Sequence, residues 1–276
     1  MDEVPRSRAA RVAAETALVR VVHHYGERPE FVVLGGLVPE LLCAASPLQH
    51  AGTTDVDVQV NLEIAGGSIG AVRLERALRD AEFAPVDAYV WRWEARALET
   101  PAVVRFELLA DLDDQPDQAT IVFDRCEWLG AVNLRGSGFA ARDLEVRELS
   151  AKIGRVLHTV EVNVSGLGGF LLAKARAAYS RRRPKDWYDI AFVLLHNDAG
   201  GPDEAAAAVL DRFGDDILGA THSAIADLRA NFAEASAQGP RAYVEQMLLD
   251  QPDIDQTVTA ADSVAAVERF SALVLR

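Results

Sequence analysis

The chain has 276 residues, of which 50% are hydrophobic and 25% charged, a composition typical of folded proteins and too apolar for intrinsic disorder. Its formal net charge of −14 at pH 7 argues against broad, unassisted attraction to nucleic acid, because binding a polyanion depends on a cationic surface. The length suits one large domain or two ordinary ones, and we expect two.

The sequence carries no sign of export or membrane insertion. The first residues lack the uninterrupted apolar stretch and the small-residue cleavage site of a secretory signal peptide. No later run reaches the roughly 18 consecutive apolar residues that a membrane helix needs. Two cysteines, Cys43 and Cys126, are too few for a disulfide framework. These features predict a cytoplasmic protein that makes no contact with membranes.

The first half of the chain mixes predicted strands and helices. Apolar residues at helical spacing predict an amphipathic helix over about residues 6–25, and FVVLGG (31–36) predicts a strand that ends in a glycine turn. LVPELLCAA then predicts a short helix, and DVDVQV (55–60) has the two-residue period of a strand. Later elements are expected at residues 71–82 (helix) and at 88–95, 102–110 and 119–124 (strands). We therefore predict an α/β (α+β) domain with a mixed sheet over residues 1–165.

From about residue 167 onward the sequence is alanine-rich and poor in strand patterns. Segments of helical periodicity follow one another with short interruptions as far as the last residues. This pattern predicts a C-terminal helical domain over residues 166–276, with the boundary in VNVSGLGG near residue 165.

Two short motifs in the first half point to phosphate chemistry. Side chains alternate along a strand, so Asp55 and Asp57 project from one face and can share divalent cations. Magnesium prefers such oxygen ligands and completes its shell with water and substrate phosphates. The Gly35-Gly36 pair after the preceding strand lets the backbone approach a triphosphate closely. Either motif alone is more often an ordinary turn or a solvated strand edge, but the two in this order favour a functional site.

These residues resemble a known superfamily. The run GGLVPELL…HAGTTDVDV resembles the signature of polymerase-beta-type nucleotidyltransferases, and KARAAYSRRRPKDWYDIAFVL resembles the second motif of their AbiEii/MenT-like toxin branch. The resemblance implies an enzyme that moves NMP from an NTP substrate to an acceptor hydroxyl. It also implies a toxin that acts on tRNA 3′ ends and is restrained by an antitoxin protein.

The resemblance also assigns roles around the Asp-x-Asp motif. Asp55 and Asp57 would hold two Mg²⁺ ions, and Thr53 and Thr54 would hydrogen-bond the γ-phosphate. The family often carries an arginine just before this point. This chain has His-Ala-Gly at residues 50–52 instead, so the phosphate charge must be neutralised from elsewhere.

A third carboxylate is expected on a neighbouring strand. Glu107 is the first choice, because it lies among apolar residues where an unpaired acid is costly. Asp111, nearer the end of the strand, is the rival. The alternative for Glu107 is a solvent-facing side chain that is paired with Arg105 or another neighbour.

The second motif adds a lysine and two further acids. Lys174 lies in an apolar helical run, where its amine must either reach out to solvent or meet an anion. The resemblance assigns it to the triphosphate, with Lys185 also at the nucleotide and Asp189 in a supporting catalytic role. A helical ion pair between Lys185 and Asp189, four residues apart, is the alternative. Asp186 would cap or anchor this helix near its start.

The sequence leaves three alternatives for the acceptor and the activity. The basic stretch from Arg176 to Lys185 is the dense cationic run that tRNA phosphates would need. Strong overall acidity would suit a small cationic acceptor instead, as in the aminoglycoside-modifying members of the superfamily. A non-catalytic nucleotide-binding module is the third alternative.

Overall fold

The structure is a computed structural model that describes residues 7–60, 69–86, 89–97 and 102–276. Residues 6 and 88, at the ends of two predicted elements, lie outside the described residues. The chain divides into two compact units, of which the first comprises Met1–Val38 with Gly52–Ser165 and the second Pro39–Ala51 with Gly166–Arg276. The segment Pro39–Ala51 thus falls in the second unit, although it lies within the residues 1–165 that the sequence pattern predicts as the first domain.

The elements of the described residues follow one another in this chain order: α1 (Arg8–Tyr25), β1 (Val32–Leu34), a 3₁₀ turn (Gly35–Leu37), α2 (Val38–Leu42), β2 (Asp55–Gln59), α3 (Ile69–Asp80), β3 (Ala84–Val86), β4 (Tyr89–Arg96), β5 (Val103–Ala110), β6 (Thr120–Val122), β7 (Gly130–Asn133), α4 (Phe139–Arg142), β8 (Leu144–Ile153), β9 (Val156–Ser165), α5 (Leu167–Arg181), α6 (Pro184–His196), α7 (Pro202–Phe213), a 3₁₀ turn (Gly214–Asp216), α8 (Gly219–Asn231), α9 (Gln238–Asp250) and α10 (Gln256–Val274).

The first unit is built on one mixed sheet. Its strands lie in the order β3-β4-β5-β2-β1-β9-β8, with β7 beside the end of β5 and β6 beside β7. Strands β1 and β2 are antiparallel, whereas β2 is parallel to β5 and β1 is parallel to β9. The prediction of a mixed α/β sheet followed by helices is confirmed.

The alternation in β2 separates a core face from a charged face. Val56 and Val58 are fully buried on one side, where helix α1 packs across the sheet. Asp55 and Asp57 lie on the other side and are half-buried. Because side chains alternate along a strand, burying the two valines fixes both aspartates on the opposite face.

The longest strand pair, β8 with β9, was not predicted. It runs in unbroken antiparallel register from Leu144 opposite Ser165 to Ile153 opposite Val156. A two-residue turn closes it, and Gly154 at the first turn position has a φ of +62°, as the tight turns of hairpins require. The signal was present in part, because the turn glycine precedes a ten-residue stretch rich in β-branched residues, whereas the stretch before it has only Val146 and Ile153.

The second unit is helical in its C-terminal part. Helix α6 packs against α9 and α10, and α5 packs against α7 and α8. Asp198 fixes Pro39–Ala51 within this unit, since its carboxylate accepts hydrogen bonds from the backbone N–H groups of Ala44 and Ala45 at 3.1 and 2.9 Å. In the described part of the chain, no helix combines the length and the hydrophobicity that crossing a lipid bilayer demands.

Candidate active site

Two rows of charged side chains cross three neighbouring strands on the face of the sheet that carries Asp55 and Asp57. Register places Asp57 opposite Glu107, and Glu107 opposite Arg92. It likewise places Asp55 opposite Arg105, and Arg105 opposite Glu94. Adjacent strands lie about 4.8 Å apart, so these side chains are direct neighbours. We call this set the charged face, and its members are Arg92, Glu94, Asp55, Asp57, Arg105 and Glu107.

The two arginines of the charged face pair with its acids. Arg92 holds Glu107, with its Nε and Nη2 atoms 2.8 and 2.7 Å from Oε1. Arg105 donates from Nε to Glu94 Oε1 at 3.1 Å, and its Nη1 lies 3.8 Å from Asp55 Oδ1. The chain has no arginine just before the Asp-x-Asp motif, and the neighbouring strands bring two arginines to the same face.

Glu107 lies on β5 opposite Asp57, and its ion-pair partner is Arg92, a neighbour on β4. Burial raises the pKa of Glu107, and the nearby Asp55 carboxylate raises it further. The positive charges of Arg92 and Arg105 act in the opposite direction, and the pKa remains above its ordinary value. The acids of the charged face therefore lie close together, and its arginines offset their negative charge only in part.

The two glycines of the first motif pack directly against the Asp-x-Asp strand. Gly35 has a φ of +75°, and a Cβ atom at this position would overlap the Asp57 carboxylate. A Cβ at Gly36 would come within 2.8 Å of the Cβ of Thr53. Glycine is required here because no other residue leaves room for Asp57.

The two threonines support the start of β2. The Thr53 hydroxyl oxygen accepts a hydrogen bond from the backbone N–H of Asp55 at 3.0 Å. The Thr54 carbonyl accepts one from the backbone N–H of Arg105 at 3.1 Å. The Thr53 bond holds the first residue of β2, and the Thr54 bond, made by a backbone carbonyl, links the approach to β2 with β5.

Asp111, the rival for the third carboxylate, holds a loop. Its Oδ2 accepts hydrogen bonds from the backbone N–H groups of Gly136 and Gly138 at 2.8 and 3.0 Å. A Cβ at Gly138 would meet this carboxylate at 3.0 Å, so the loop closes tightly around it. The Asp111 carboxylate is thus engaged with backbone N–H groups, whereas the Glu107 carboxylate is engaged by Arg92.

The charged face fits a magnesium ion through two of its acids. Asp55 and Asp57 offer carboxylate oxygens from one side of β2, and Gly35 leaves room for the Asp57 carboxylate itself. Magnesium commonly takes one or two carboxylates and fills its shell with water and phosphate. The Glu107 carboxylate is engaged by Arg92. Across the described ranges, no group of three or more His, Cys, Asp or Glu residues is arranged to hold a metal ion.

Lys174 of the second motif is buried in an ionic network of the second unit. Its Nζ lies 2.6 Å from Asp189 Oδ2 and 3.2 Å from Asp186 Oδ1, and the residue is 6% exposed. The amine therefore meets anions inside the protein and does not extend into solvent. We call this set the buried network, and its members are His50, Lys174, Arg181, Asp186 and Asp189.

Asp186 joins the two helices of this network. It lies in the first turn of α6, where a carboxylate interacts favourably with the helix dipole, as predicted for an anchoring residue. Both of its oxygens accept hydrogen bonds from Arg181, at 2.7 and 2.6 Å. Burial by itself would raise the pKa of Asp186, but the charge of Lys174 and the hydrogen bonds from Arg181 outweigh it and lower the pKa below its ordinary value.

His50 completes the buried network, although no sequence signal suggested it. Its Nε2 lies 2.9 Å from Asp189 Oδ1, and both side chains are fully buried. The imidazole stacks on the Tyr188 ring with centroids 5.0 Å apart. The two partners are 139 residues apart in sequence, so only folding brings them together.

The basic stretch is partly neutralised in the structure. Arg181 pairs with Asp186, and Arg182 pairs with Asp227 at 2.7 Å. Arg183 is exposed, and Lys185 is half-buried in the first turn of α6. The cationic surface that this run offers is therefore smaller than its sequence suggests.

Comparison with protein families identifies the class of this enzyme as a nucleotidyltransferase. The chain belongs to the AbiEii family, described as "Nucleotidyl transferase AbiEii toxin, Type IV TA system", whose model matches residues 132–271, more than half of the chain. A search of curated proteins found no match. The family implies an NTP substrate and suggests an antitoxin partner. The matched residues include Lys174, Asp186 and Asp189 and lie after the charged face.

Proposed function

We propose that this toxin transfers an NMP group from NTP to the 3′-terminal hydroxyl of tRNA in a magnesium-dependent reaction. The acceptor oxygen forms a bond to the α-phosphorus, the bond to the bridging oxygen breaks, and pyrophosphate leaves. The hydroxyl proton is lost to solvent or to a nearby base. The observation that carries this proposal is the position of Asp55 and Asp57 on one face of β2, with Glu107 opposite Asp57.

Asp55 and Asp57 would hold two Mg²⁺ ions, with Glu107 as the third acid. When bound, the metal ions supply charge that stabilises the phosphate oxygens and lowers the pKa of the acceptor hydroxyl. Gly35 brings backbone close to the Asp57 carboxylate, Gly36 packs against Thr53, and Thr53 and Thr54 support the start of the strand that carries the acids. Arg105 and Arg92 lie on the same face and can neutralise phosphate charge in place of the arginine that the motif lacks.

Lys174 would contribute positive charge for the triphosphate, with Asp189 setting the position of its amine. The supporting observation is the 2.6 Å contact between Lys174 Nζ and Asp189 Oδ2. Lys185, in the first turn of α6, would add a second cation for the nucleotide.

The acceptor assignment is supported by the family and by the basic stretch. A toxin that blocks the 3′ ends of tRNA would stop translation, and Arg176 with Arg183 offers charge for RNA phosphates. The net charge of −14 supports a small cationic acceptor as the competing proposal.

Label transfer tests both the reaction and the acceptor. The protein is incubated with magnesium and each α-labelled NTP, in separate reactions with tRNA, an aminoglycoside panel or protein extract. We expect label in tRNA, its loss on chelation of magnesium, and its loss in Asp57→Asn. Label in an aminoglycoside would replace the acceptor proposal, and no label in any acceptor with any NTP would refute the proposed activity.

A further inference from the structure

We propose that His50 is a positioning residue for the nucleotide site, acting through Asp189 on the amine of Lys174. This inference rests on the proposed role of Lys174 toward the triphosphate. The Asp189 carboxylate contacts both groups, since Oδ1 faces His50 Nε2 at 2.9 Å and Oδ2 faces Lys174 Nζ at 2.6 Å. Together with Asp186, whose Oδ1 lies 3.2 Å from the amine, the orientation of this carboxylate sets where the amine lies.

The imidazole is itself held rigidly. It stacks on Tyr188, and its edge meets the Phe192 ring at a centroid distance of 5.1 Å. The backbone N–H of His50 donates to Glu40 Oε2 at 2.8 Å, and the next N–H, of Ala51, donates to the Tyr188 hydroxyl at 3.0 Å. A group fixed from several directions can impose its geometry on a partner, which a mobile side chain cannot do.

Removing His50 would change the hydrogen bonding around Lys174. Asp189 Oδ1 would lose the buried partner that lies 2.9 Å away, and losing a hydrogen bond to a buried carboxylate is costly. The carboxylate can regain a partner by rotating toward Lys174. The amine would then sit in a different place and be bound more tightly by the protein, so it would be less available to an incoming triphosphate.

His196 provides a matched control for the packing role of His50. It also lies against Phe192, with ring centroids 4.8 Å apart, and its Nε2 lies 3.0 Å from the Tyr243 hydroxyl. Both histidines thus pack against the Phe192 ring and make a hydrogen bond through Nε2. His50 alone of the two has its Nε2 bond to a carboxylate that also holds Lys174.

The experiment compares His50→Leu, His50→Asn, His50→Gln and His196→Leu in the full chain. NTP KM, kcat and the dissociation constant of a non-hydrolysable NTP are measured for each folded protein, with urea unfolding alongside. Glutamine can place an N–H where Nε2 was, whereas asparagine is too short and leucine has no donor. We expect about a tenfold higher NTP KM and dissociation constant for His50→Leu and His50→Asn, with a smaller change in kcat. His50→Gln should recover most of the affinity, and His196→Leu should lose stability without loss of NTP affinity.

Two outcomes would overturn the positioning role. One is equal NTP affinity in His50→Asn and His50→Gln, which both keep a polar side chain and differ in reach. The other is an equal loss of affinity in His50→Leu and His196→Leu, which would reduce His50 to a packing residue. A wild-type protein that neither binds nor transfers NTP would refute the proposed function itself, which separates the two failures.

Discussion

At the residue scale, the position of the Asp57 carboxylate depends on a missing Cβ atom. Gly35 has a φ of +75°, and its Cα faces Asp57 directly. On a strand face without such a close neighbour, a carboxylate could adopt several rotamers. The glycine turn thus acts on the geometry of the acid pair, in addition to any approach to phosphate.

Gly35→Ala should therefore cost more than backbone strain alone. The substitution forces alanine into a left-handed conformation, which costs about 1–2 kcal/mol, and also pushes Asp57 aside. Gly154→Ala is the matched control, because its φ is +62° and a Cβ there would meet nothing within 4 Å. We expect a larger loss of unfolding free energy in urea for Gly35→Ala, and a loss of transfer activity in this variant alone. Equal effects of both substitutions would contradict the role of Gly35 beside Asp57.

Substitutions of Glu107 and Asp111 should have opposite effects on activity and stability. Glu107→Gln removes a charge beside Asp57, so we expect transfer to fall about 100-fold with the fold retained. Asp111→Ala removes the acceptor of two backbone N–H groups, so we expect a stability loss of about 2 kcal/mol and little change in transfer per folded molecule. Initial rates and urea unfolding of both variants decide between them. A severe loss of transfer in folded Asp111→Ala would reverse the assignment of the third carboxylate.

At the element scale, the buried network joins α5 to α6. Lys174 and Arg181 project from α5, and both contact Asp186 in the first turn of α6. Pro184 is the first residue of α6. Proline is favoured at this position because the backbone N–H that it lacks would have no hydrogen-bond partner within the helix. Charge pairing and helix start are therefore set by the same short stretch of sequence.

Lys174→Met should destabilise the second unit strongly. It leaves Asp189 and Asp186 buried without the lysine, and breaking a buried ion pair costs roughly 3–5 kcal/mol. Arg229→Gln, which breaks the exposed pair with Glu268, is the control and should change stability little. Urea unfolding of both variants is the measurement. If Lys174→Met were as stable as wild type, the network would not hold these helices together.

At the scale of the whole molecule, acid should weaken the fold partly through His196. Burial lowers the pKa of His196 below its ordinary value of 6.5, so the unfolded chain binds this proton more readily than the folded chain. The stability that neutral His196 contributes is therefore complete above pH 6.5. It is lost as the pH falls from there toward the pKa of His196 in the folded protein. Asp186, whose pKa is lowered from 3.8, contributes stability that is lost only at more acid pH.

The test compares wild type with His196→Gln in urea at a series of pH values between about 8 and 5. The raised pKa of Glu107 acts in the opposite direction, so the difference between the two proteins is the informative quantity. We expect wild type to lose more stability than the variant as pH falls through this window. Parallel curves would show that His196 does not titrate with folding.

Because the chain is acidic overall, the salt dependence of the tRNA KM tests whether tRNA is the acceptor. The variant that probes RNA contact is Arg176→Gln/Arg183→Gln, because it leaves the pairs of Arg181 with Asp186 and of Arg182 with Asp227 intact. If tRNA binds there, this variant should raise the tRNA KM and flatten its log–log dependence on salt by about 1–2 units, because fewer counterions are released. Arg212→Gln/Arg241→Gln removes equal charge from other helices and is the control. Identical salt slopes for the two variants would favour a small acceptor.

Much of the fold could be predicted from local patterns. The alternation in DVDVQV predicted β2 and the common face of Asp55 and Asp57, because a two-residue period has one structural interpretation. The hairpin β8–β9 was missed although its pattern was present in part. The domain boundary near residue 165 stays a prediction, and the grouping of Pro39–Ala51 with the helical unit could not be predicted, since its contacts are made with residues far along the chain.

The sequence by itself determined the family resemblance, the order of elements and the residue types of the candidate site. Spacing within one strand or helix is enough for these, because local geometry fixes which side chains share a face. Only the tertiary structure decided the partners: Arg92 for Glu107, Asp186 and Asp189 for Lys174, and His50 for Asp189. Strand register and helix packing depend on burial summed over the whole chain, so no short segment contains that information.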